Sequence, residues 1–166
     1  MTGPDPRAPW YRNTKGEWYV VVQVVLFALI AVGPHTVPGW PPWPEPWGVV
    51  ARWVGFVCMV IGAAFAVGGV FRLGPNLSVL PYPKDCADLI ETGPYAVVRH
   101  PIYSGLILGA FGWGLYLNAG LTLVWALGLF VLFDAKSRKE EAWLSEKFAG
   151  YGEYRTRVKK LIPWVY

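Results

Sequence analysis

The chain has 166 residues, of which 54% are apolar and only 16% charged, against about 25% charged in ordinary soluble domains. Ten tryptophans and nineteen glycines accompany a net charge of +4, and Trp gathers at bilayer interfaces while Gly is tolerated in spanning helices. This excludes an ordinary soluble domain, and the basic residues lack the aromatic-interleaved patch that nucleic-acid binding needs.

Residues 1–17 read as a polar arm carrying Arg7, Arg12 and Lys15, with no cleavable signal peptide. Trp18 to Val32 is apolar apart from Gln23 and reads as a first membrane span, with Trp18 and Tyr19 as interfacial anchors. Residues 33–47, GPHTVPGWPPWPEPW, hold too many prolines for a helix and read as a stiff interfacial loop. His35 has no cysteine or second histidine near it, so it reads as a surface residue, and no metal site is expected.

Gly48 to Phe71 is the clearest span. Arg52 lies one turn in, where it can snorkel outward. Gly55, Gly62, Ala66 and Gly69 recur at helical spacing as a small-residue strip for close packing. Residues 72–100 are polar and broken by Gly and Pro. Pro101 disfavours helix at His100 but suits the first position of the helix that follows, through about Leu117. Asn118-Ala119-Gly120 signals a tight turn, and Leu121 to Phe133 returns as another apolar helix. Sixteen residues reach only about 24 Å, so this is a short hairpin. From Asp134 an amphipathic helix is expected to run to Gly150 or Gly152, and a short helical stretch then ends at Pro163. Cys58 falls in a span and Cys86 in a loop, so no disulfide is expected.

The fold expected is therefore all-α and integral to the membrane, one domain over 1–166. It has about four transmembrane helices, the last two a short hairpin, plus a cytoplasmic C-terminal amphipathic helix. Within it, 18–71 forms two spans with the Trp/Pro loop and 72–166 forms the chemical core. Of the 15 basic residues all but Arg52 fall in the arm, the 72–100 loop or the tail, which places both termini and that loop in the cytoplasm by the positive-inside rule.

Leu89 to Gly105, LIETGPYAVVRHPIYSG, is where a polar loop meets this membrane edge. It offers a Gly-Pro turn, the Arg99-His100 pair, Tyr103, and a helix start whose free N–H groups favour an anion. The hairpin brings Lys136, Arg138, Lys139, Glu140 and Glu141 back to the same side. Together they form a mixed-charge pocket for a polar cofactor with a charged tail and hydroxyls. Glu140 suits a ribose diol or amino group, and His100 an anionic end. The residues themselves leave its identity open. No Ser-His-Asp arrangement, metal-ligand cluster, G-x-G-x-x-G or P-loop is present.

Gly93-Pro94-Tyr95, then Arg99-His100-Pro101-Ile102-Tyr103, a glycine-rich hairpin, and Glu140-Glu141 with Leu144, Phe148, Tyr151, Tyr154, Val158 and Pro163 behind it make a pattern. Over about residues 68–165 it resembles the isoprenylcysteine carboxyl methyltransferases and the related phospholipid methyltransferases. The resemblance implies an integral-membrane methyltransferase using S-adenosylmethionine, with a cytoplasmic active site and a lipophilic or lipidated acceptor entering from the bilayer. It implies that Leu89, Ile90, Tyr95, His100, Pro101, Ile102, Tyr103 and Glu140 line the cofactor site, and that Lys136, Arg138 and Glu141 serve the chemistry. The prenylcysteine enzymes place an arginine about four residues before this glutamate, facing the substrate carboxylate. Lys136 stands there instead and lacks the bidentate fork, which leaves a prenylcysteine-like carboxylate, a lipid amine and a lipid hydroxyl all open. The acceptor's tail is expected between the hairpin and the second span. The alternative is an NADPH-dependent membrane reductase of the sterol-reductase type, whose C-terminal region has a similar R-H-x-x-Y-like element but usually more spans.

Overall fold

The computed structural model describes residues 10–12, 15–41, 43–82 and 88–166. Arg7, Lys84 and Cys86 lie outside the described residues. Among the described residues five α-helices follow in order: α1 (Glu17–Val32), α2 (Trp47–Leu73), α3 (Pro101–Tyr116), α4 (Gly120–Lys147) and α5 (Tyr151–Arg157). Among the described residues there is no β-strand, only one parallel bridge between Val98 and Lys159.

The helices bury small residues and turn large apolar ones outward. In α2 the buried positions are Gly48, Ala51, Gly55, Gly62 and Gly69, while Val54, Phe56, Val57, Val60 and Ile61 are exposed. A helix of a water-soluble domain shows the opposite arrangement. Two helices, Trp47–Asn76 and Gly120–Lys147, are long and apolar enough to cross a membrane, and α1 is apolar but shorter. Of the four expected spans, these two meet the test of length and composition.

The small residues let α2 and α3 touch backbone to backbone. A methyl group added at Gly55 would lie 2.5 Å from the Gly112 carbonyl oxygen, and one at Gly62 would lie 2.6 Å from that of Gly105. Gly112 meets Gly55 reciprocally, at 2.7 Å. With no hydrophobic force between helices in lipid, such close approach is how they associate. The α2–α3 seam is correspondingly the broadest interface, α1 packs on α4, and α1 and α2 share no comparable contact. Ile30, Ile107, Ala126, Leu129 and Phe133 fill the centre between α1, α3 and α4.

Two features depart from expectation. The amphipathic helix is not a separate element: α4 runs unbroken for 28 residues from Gly120 to Lys147, about 42 Å. Nothing in 134–147 interrupts it, since AKSRKEEAWL consists mostly of good helix formers and Arg138 pairs with Asp134 one turn back. The helix stops at Phe148, before Gly150. His35 is also more than a surface residue. Its Nδ1 lies 2.9 Å from Thr122 Oγ1, and its carbonyl accepts from the Leu121 N–H, so it pins the Trp/Pro loop to the start of α4. The hairpin turn itself needs a left-handed residue, and Asn118 supplies it at φ 53°, a conformation Asn tolerates better than most.

Candidate active site

The segment before α3 is shaped by its own sequence and held by the tail. Gly93 takes φ +66°, as its lack of a side chain permits, and opens the turn Gly93–Ala96. Arg72 Nε donates to Thr92 Oγ1 at 2.7 Å, anchoring that turn to α2. The tail then runs alongside: the N–H groups of Arg99 and His100 donate to the carbonyls of Lys159 (2.8 Å) and Lys160 (3.1 Å). Ser104 Oγ donates to Leu161 O at 2.7 Å. His100 is thereby fixed on both sides, by the start of α3 and by the tail.

Its imidazole meets two glutamates of α4. His100 Nε2 lies 3.1 Å from Glu141 Oε1, and Nδ1 lies 3.7 Å from Glu140 Oε2. Glu141 also accepts from Arg99 Nε at 2.9 Å. Arg99 Nη1 in turn donates to the carbonyls of Arg155 and Val158, so one buried carboxylate links the segment before α3, α4 and the tail. Glu140 accepts from the Tyr103 hydroxyl at 2.9 Å. The rings of His100, Tyr103 and Phe133 stack in sequence, with centroids 5.4 and 4.5 Å apart. Lys136 lies over the Tyr103 ring and donates to Gln23 Oε1 (2.8 Å) and Val79 O (3.0 Å). Although only 2% exposed, it has no carboxylate within ion-pair distance among the described residues.

A cavity of about 230 Å³ opens between these elements. Eight of the site residues expected from the sequence line it together: Leu89, Ile90, Tyr95, His100, Ile102, Tyr103, Lys136 and Glu140. Three do not. Pro101 is buried as the first residue of α3, beside Gly69. Glu141 lies beneath the imidazole rather than on the wall. Arg138, with its side chain 66% exposed, pairs with Asp134 and the Tyr166 hydroxyl, away from the cavity.

The walls include further residues that the sequence did not assign to the cofactor site. Gln23 reaches in from α1, residues 76–82 cover one side, and Arg99, Tyr151 and Tyr154 complete another. Gln23 has a sequence signal, being the one polar residue in an apolar span; the tyrosines of α5 stand in the pattern that runs from Gly93 to Pro163 with no role assigned to them. Tyr154 donates to the Tyr95 carbonyl at 2.6 Å. The Tyr151 hydroxyl is shielded from water and has no partner among the described residues. Burial pushes the phenols of Tyr95, Tyr151 and Tyr154 above their ordinary range, so all three stay protonated.

The arrangement offers a carboxylate acceptor, an imidazole, phenolic donors and a cation around an apolar floor. Such a chamber holds a ligand with both a polar and an apolar part. Among the described residues no group of three or more His, Cys, Asp or Glu could hold a metal ion. Residues 50–150, from early α2 to the end of α4 and just beyond, match the phospholipid methyltransferase family.

The chain belongs to that family.

Similar proteins include the nickel-cobalt-cadmium resistance protein NccN of Alcaligenes xylosoxydans xylosoxydans, 30% identical over 92% of this chain and 65% of the relative. The cobalt-zinc-cadmium resistance protein CzcN of Cupriavidus metallidurans is 28% identical over 92% and 64%. Protein-S-isoprenylcysteine O-methyltransferase of Schizosaccharomyces pombe is 33% identical over 68% of this chain and 48% of the enzyme. The chain thus spans about two thirds of the first two relatives and about half of the third. The family match includes every helix that supplies His100, Tyr103, Lys136 and Glu140. It stops short of α1 and α5, which contribute Gln23, Tyr151 and Tyr154 to the same cavity.

Proposed function

We propose that this phospholipid methyltransferase family member is an integral-membrane methyltransferase that moves a methyl group from S-adenosylmethionine to a lipid-soluble acceptor. The observation that carries the reading is that Leu89–Tyr103 and Lys136–Glu140 converge on one cavity at the end of an apolar bundle. The residues fit the cofactor's chemistry. Glu140 is a carboxylate acceptor for an amino group or ribose diol, His100 is a polar group able to meet its other end, and Leu89, Ile90 and Ile102 provide apolar wall. When bound, the cofactor supplies an electrophilic methyl group on a sulfonium.

The side chains then have to position and to exclude water more than to react. Glu141 fixes His100 and Arg99, and stacking of His100 on Tyr103 on Phe133 fixes the floor. A carboxylate acceptor needs no base; an amine or hydroxyl gives up its proton, for which Glu140 is the candidate. Lys136 favours an acceptor with an anionic group. Among the described residues its ammonium is buried against two neutral oxygens and two aromatic rings, and an anion beside it would offset the cost of burying that charge. The name protein-S-isoprenylcysteine O-methyltransferase, borne by relatives in fission yeast and Saccharomyces cerevisiae, supports a carboxylate of that kind.

The acceptor's hydrocarbon part reaches the cavity from the α1–α2 side. The route between the hairpin and the second span is closed, because Gly55, Gly62, Gly105 and Gly112 bring α2 and α3 into backbone contact. Gln23 of α1 and Leu73 and Leu77 at the end of α2 border the cavity instead. Gly16 lies beside Pro81, so the start of α1 shares an end of the bundle with the cavity and the tail. The basic residues gathered there put that end in the cytoplasm. The NADPH reading has less support, since Arg99 is committed to Glu141 and to tail carbonyls rather than offered to an extra phosphate.

Thermal unfolding of the detergent-solubilised chain tests the reading. S-adenosylhomocysteine should raise the transition temperature in proportion to the logarithm of its concentration. Stabilisation by NADPH alone, or by neither compound, contradicts it.

A further inference from the structure

Residues 162–165, with the sequence IPWV, form a tightly held turn whose large apolar side chains face outward. The N–H groups of Leu161 and Ile162 both donate to the Tyr166 main-chain oxygen at 2.7 Å, and those of Val165 and Tyr166 donate to the Ile162 carbonyl. The Tyr166 hydroxyl donates to Asp134 at 2.8 Å and accepts from Arg138 at 3.0 Å, while Lys160 pairs with the same aspartate. Yet Ile162 and Val165 are exposed, and Trp164 is 87% exposed. Trp164 also sits at φ 61°, a left-handed conformation that is a genuine outlier for so bulky a residue. Such strain persists only where the surroundings fix it, and it clusters at functional segments. Here the hydrogen bonds of the turn hold the strain, and the indole gains little packing in return.

The residue before the turn sets its depth along the bundle. Leu161 belongs to the apolar cluster of Ile107 and Phe133 at the centre of the bundle, and its carbonyl accepts from Ser104 in the first turn of α3. On α4 the exposed residues Val124, Leu127 and Val131 make an outward apolar stripe. One turn further come Asp134 and Arg138, the two side chains that hold Tyr166. The turn therefore stands where an outward apolar face gives way to charge. In a bilayer that level is the interface, where tryptophan gathers because its ring is apolar and its N–H polar. Arg138 and Lys159 flank the turn and are exposed, and basic side chains at this level draw anionic headgroups.

We propose that residues 162–165 are an interfacial anchor, with Trp164 inserted among the lipid headgroups of the leaflet at the cavity's end of the bundle. This rests on the reading of the bundle as membrane-spanning and is independent of which cofactor the cavity takes. The carbonyls of Lys159 and Lys160, just before the turn, hold the N–H groups of Arg99 and His100. The anchor thereby ties the wall of the cavity to the membrane surface.

The test puts one nitroxide spin label at a time into the full-length chain, on a Cys58→Ser, Cys86→Ser background, in nanodiscs of phosphatidylcholine with a minority of phosphatidylglycerol. Trp164→Cys reports on the turn, Leu127→Cys on the outward stripe of α4, and Glu153→Cys on an exposed position of α5. Collision of each label with oxygen, which concentrates in lipid, is compared with collision with a water-soluble nickel chelate. The oxygen-to-nickel ratio at position 164 should lie between the other two and several-fold above that at 153. Val165→Cys should give the same result, and it decides the matter if Trp164→Cys fails to fold. A ratio at 164 equal to that at 153 puts the turn in water and overturns the anchor. Shielding from both reagents puts protein over the turn, another segment or a second copy, and overturns it likewise. If the label at 127 is itself reached mainly by nickel, the membrane-spanning reading fails and the anchor with it.

Discussion

Glu141 and His100 meet 3.1 Å apart across 41 residues of sequence, at 5% and 6% exposure respectively. The same carboxylate oxygen takes the Arg99 guanidinium at 2.9 Å, so one acidic group holds two basic ones in place. Removing one partner of such a buried set costs about 3–5 kcal/mol, because the others stay buried and uncompensated. Glu141→Ala should therefore lower the thermal transition of the ligand-free protein severely, and Glu141→Gln less, since the amide oxygen still accepts. A Glu141→Ala protein as stable as the parent would show that the carboxylate does not hold this cluster.

The adjacent glutamate should behave oppositely. Glu140 keeps 26% of its side chain exposed and accepts a hydrogen bond from Tyr103. Glu140→Gln should change ligand-free stability by no more than about 1 kcal/mol, while weakening S-adenosylhomocysteine about tenfold or more by titration calorimetry. A large stability loss with unaltered affinity would exchange the roles of the two residues.

Close approach of α2 and α3 gives a prediction remote from the site. Gly62→Ala would put a methyl group 2.6 Å from the Gly105 carbonyl, and overpacking of this kind costs about 1–3 kcal/mol. At Gly109, one turn along α3, an added methyl meets nothing within 4 Å. Gly109→Ala should be neutral or stabilising, as Ala favours helix by up to about 1 kcal/mol. Equal transition temperatures for the two variants would refute the seam.

Much of this was legible in the sequence, for identifiable reasons. Small residues at helical spacing announced close packing by α2, because only glycine and alanine permit backbone contact, but not that α3 is the partner, where the acceptor's tail was expected instead. Pro101 announced the start of α3, because its ring suits a first helical position and restricts His100 before it. The R-H-P-x-Y and E-E elements were separable as motifs, and the hairpin made their meeting foreseeable. Other features depend on where helices turn in space. Nothing in the spacing distinguishes Glu140, on the cavity, from Glu141 beneath His100, or turns Arg138 outward to Asp134. Tyr151 and Tyr154 belong to the Gly93-to-Pro163 pattern with no role assigned, since spacing says nothing about where a phenol oxygen ends. The continuity of α4 was hidden by its change in composition at Asp134, which alters what surrounds the helix and not its backbone.

Lys136 bears on the acceptor. Lys136→Met removes the buried ammonium and its bonds to Gln23 and Val79 at nearly constant volume, a kind of exchange that is often neutral for stability. Steady-state kinetics should show the KM for an anionic lipid acceptor rising about tenfold, with S-adenosylhomocysteine affinity unaltered. An unaltered KM would remove Lys136 from acceptor recognition.

The central claim is methyl transfer to a lipid-soluble acceptor at the cavity built by His100, Tyr103 and Glu140. The most direct measurement incubates the purified chain with methyl-labelled S-adenosylmethionine and a total lipid extract, then counts label in the organic phase. The account predicts label there with the parent protein and a loss of at least about tenfold with Glu140→Gln. No label above background with the parent, or equal label with the variant, would contradict it.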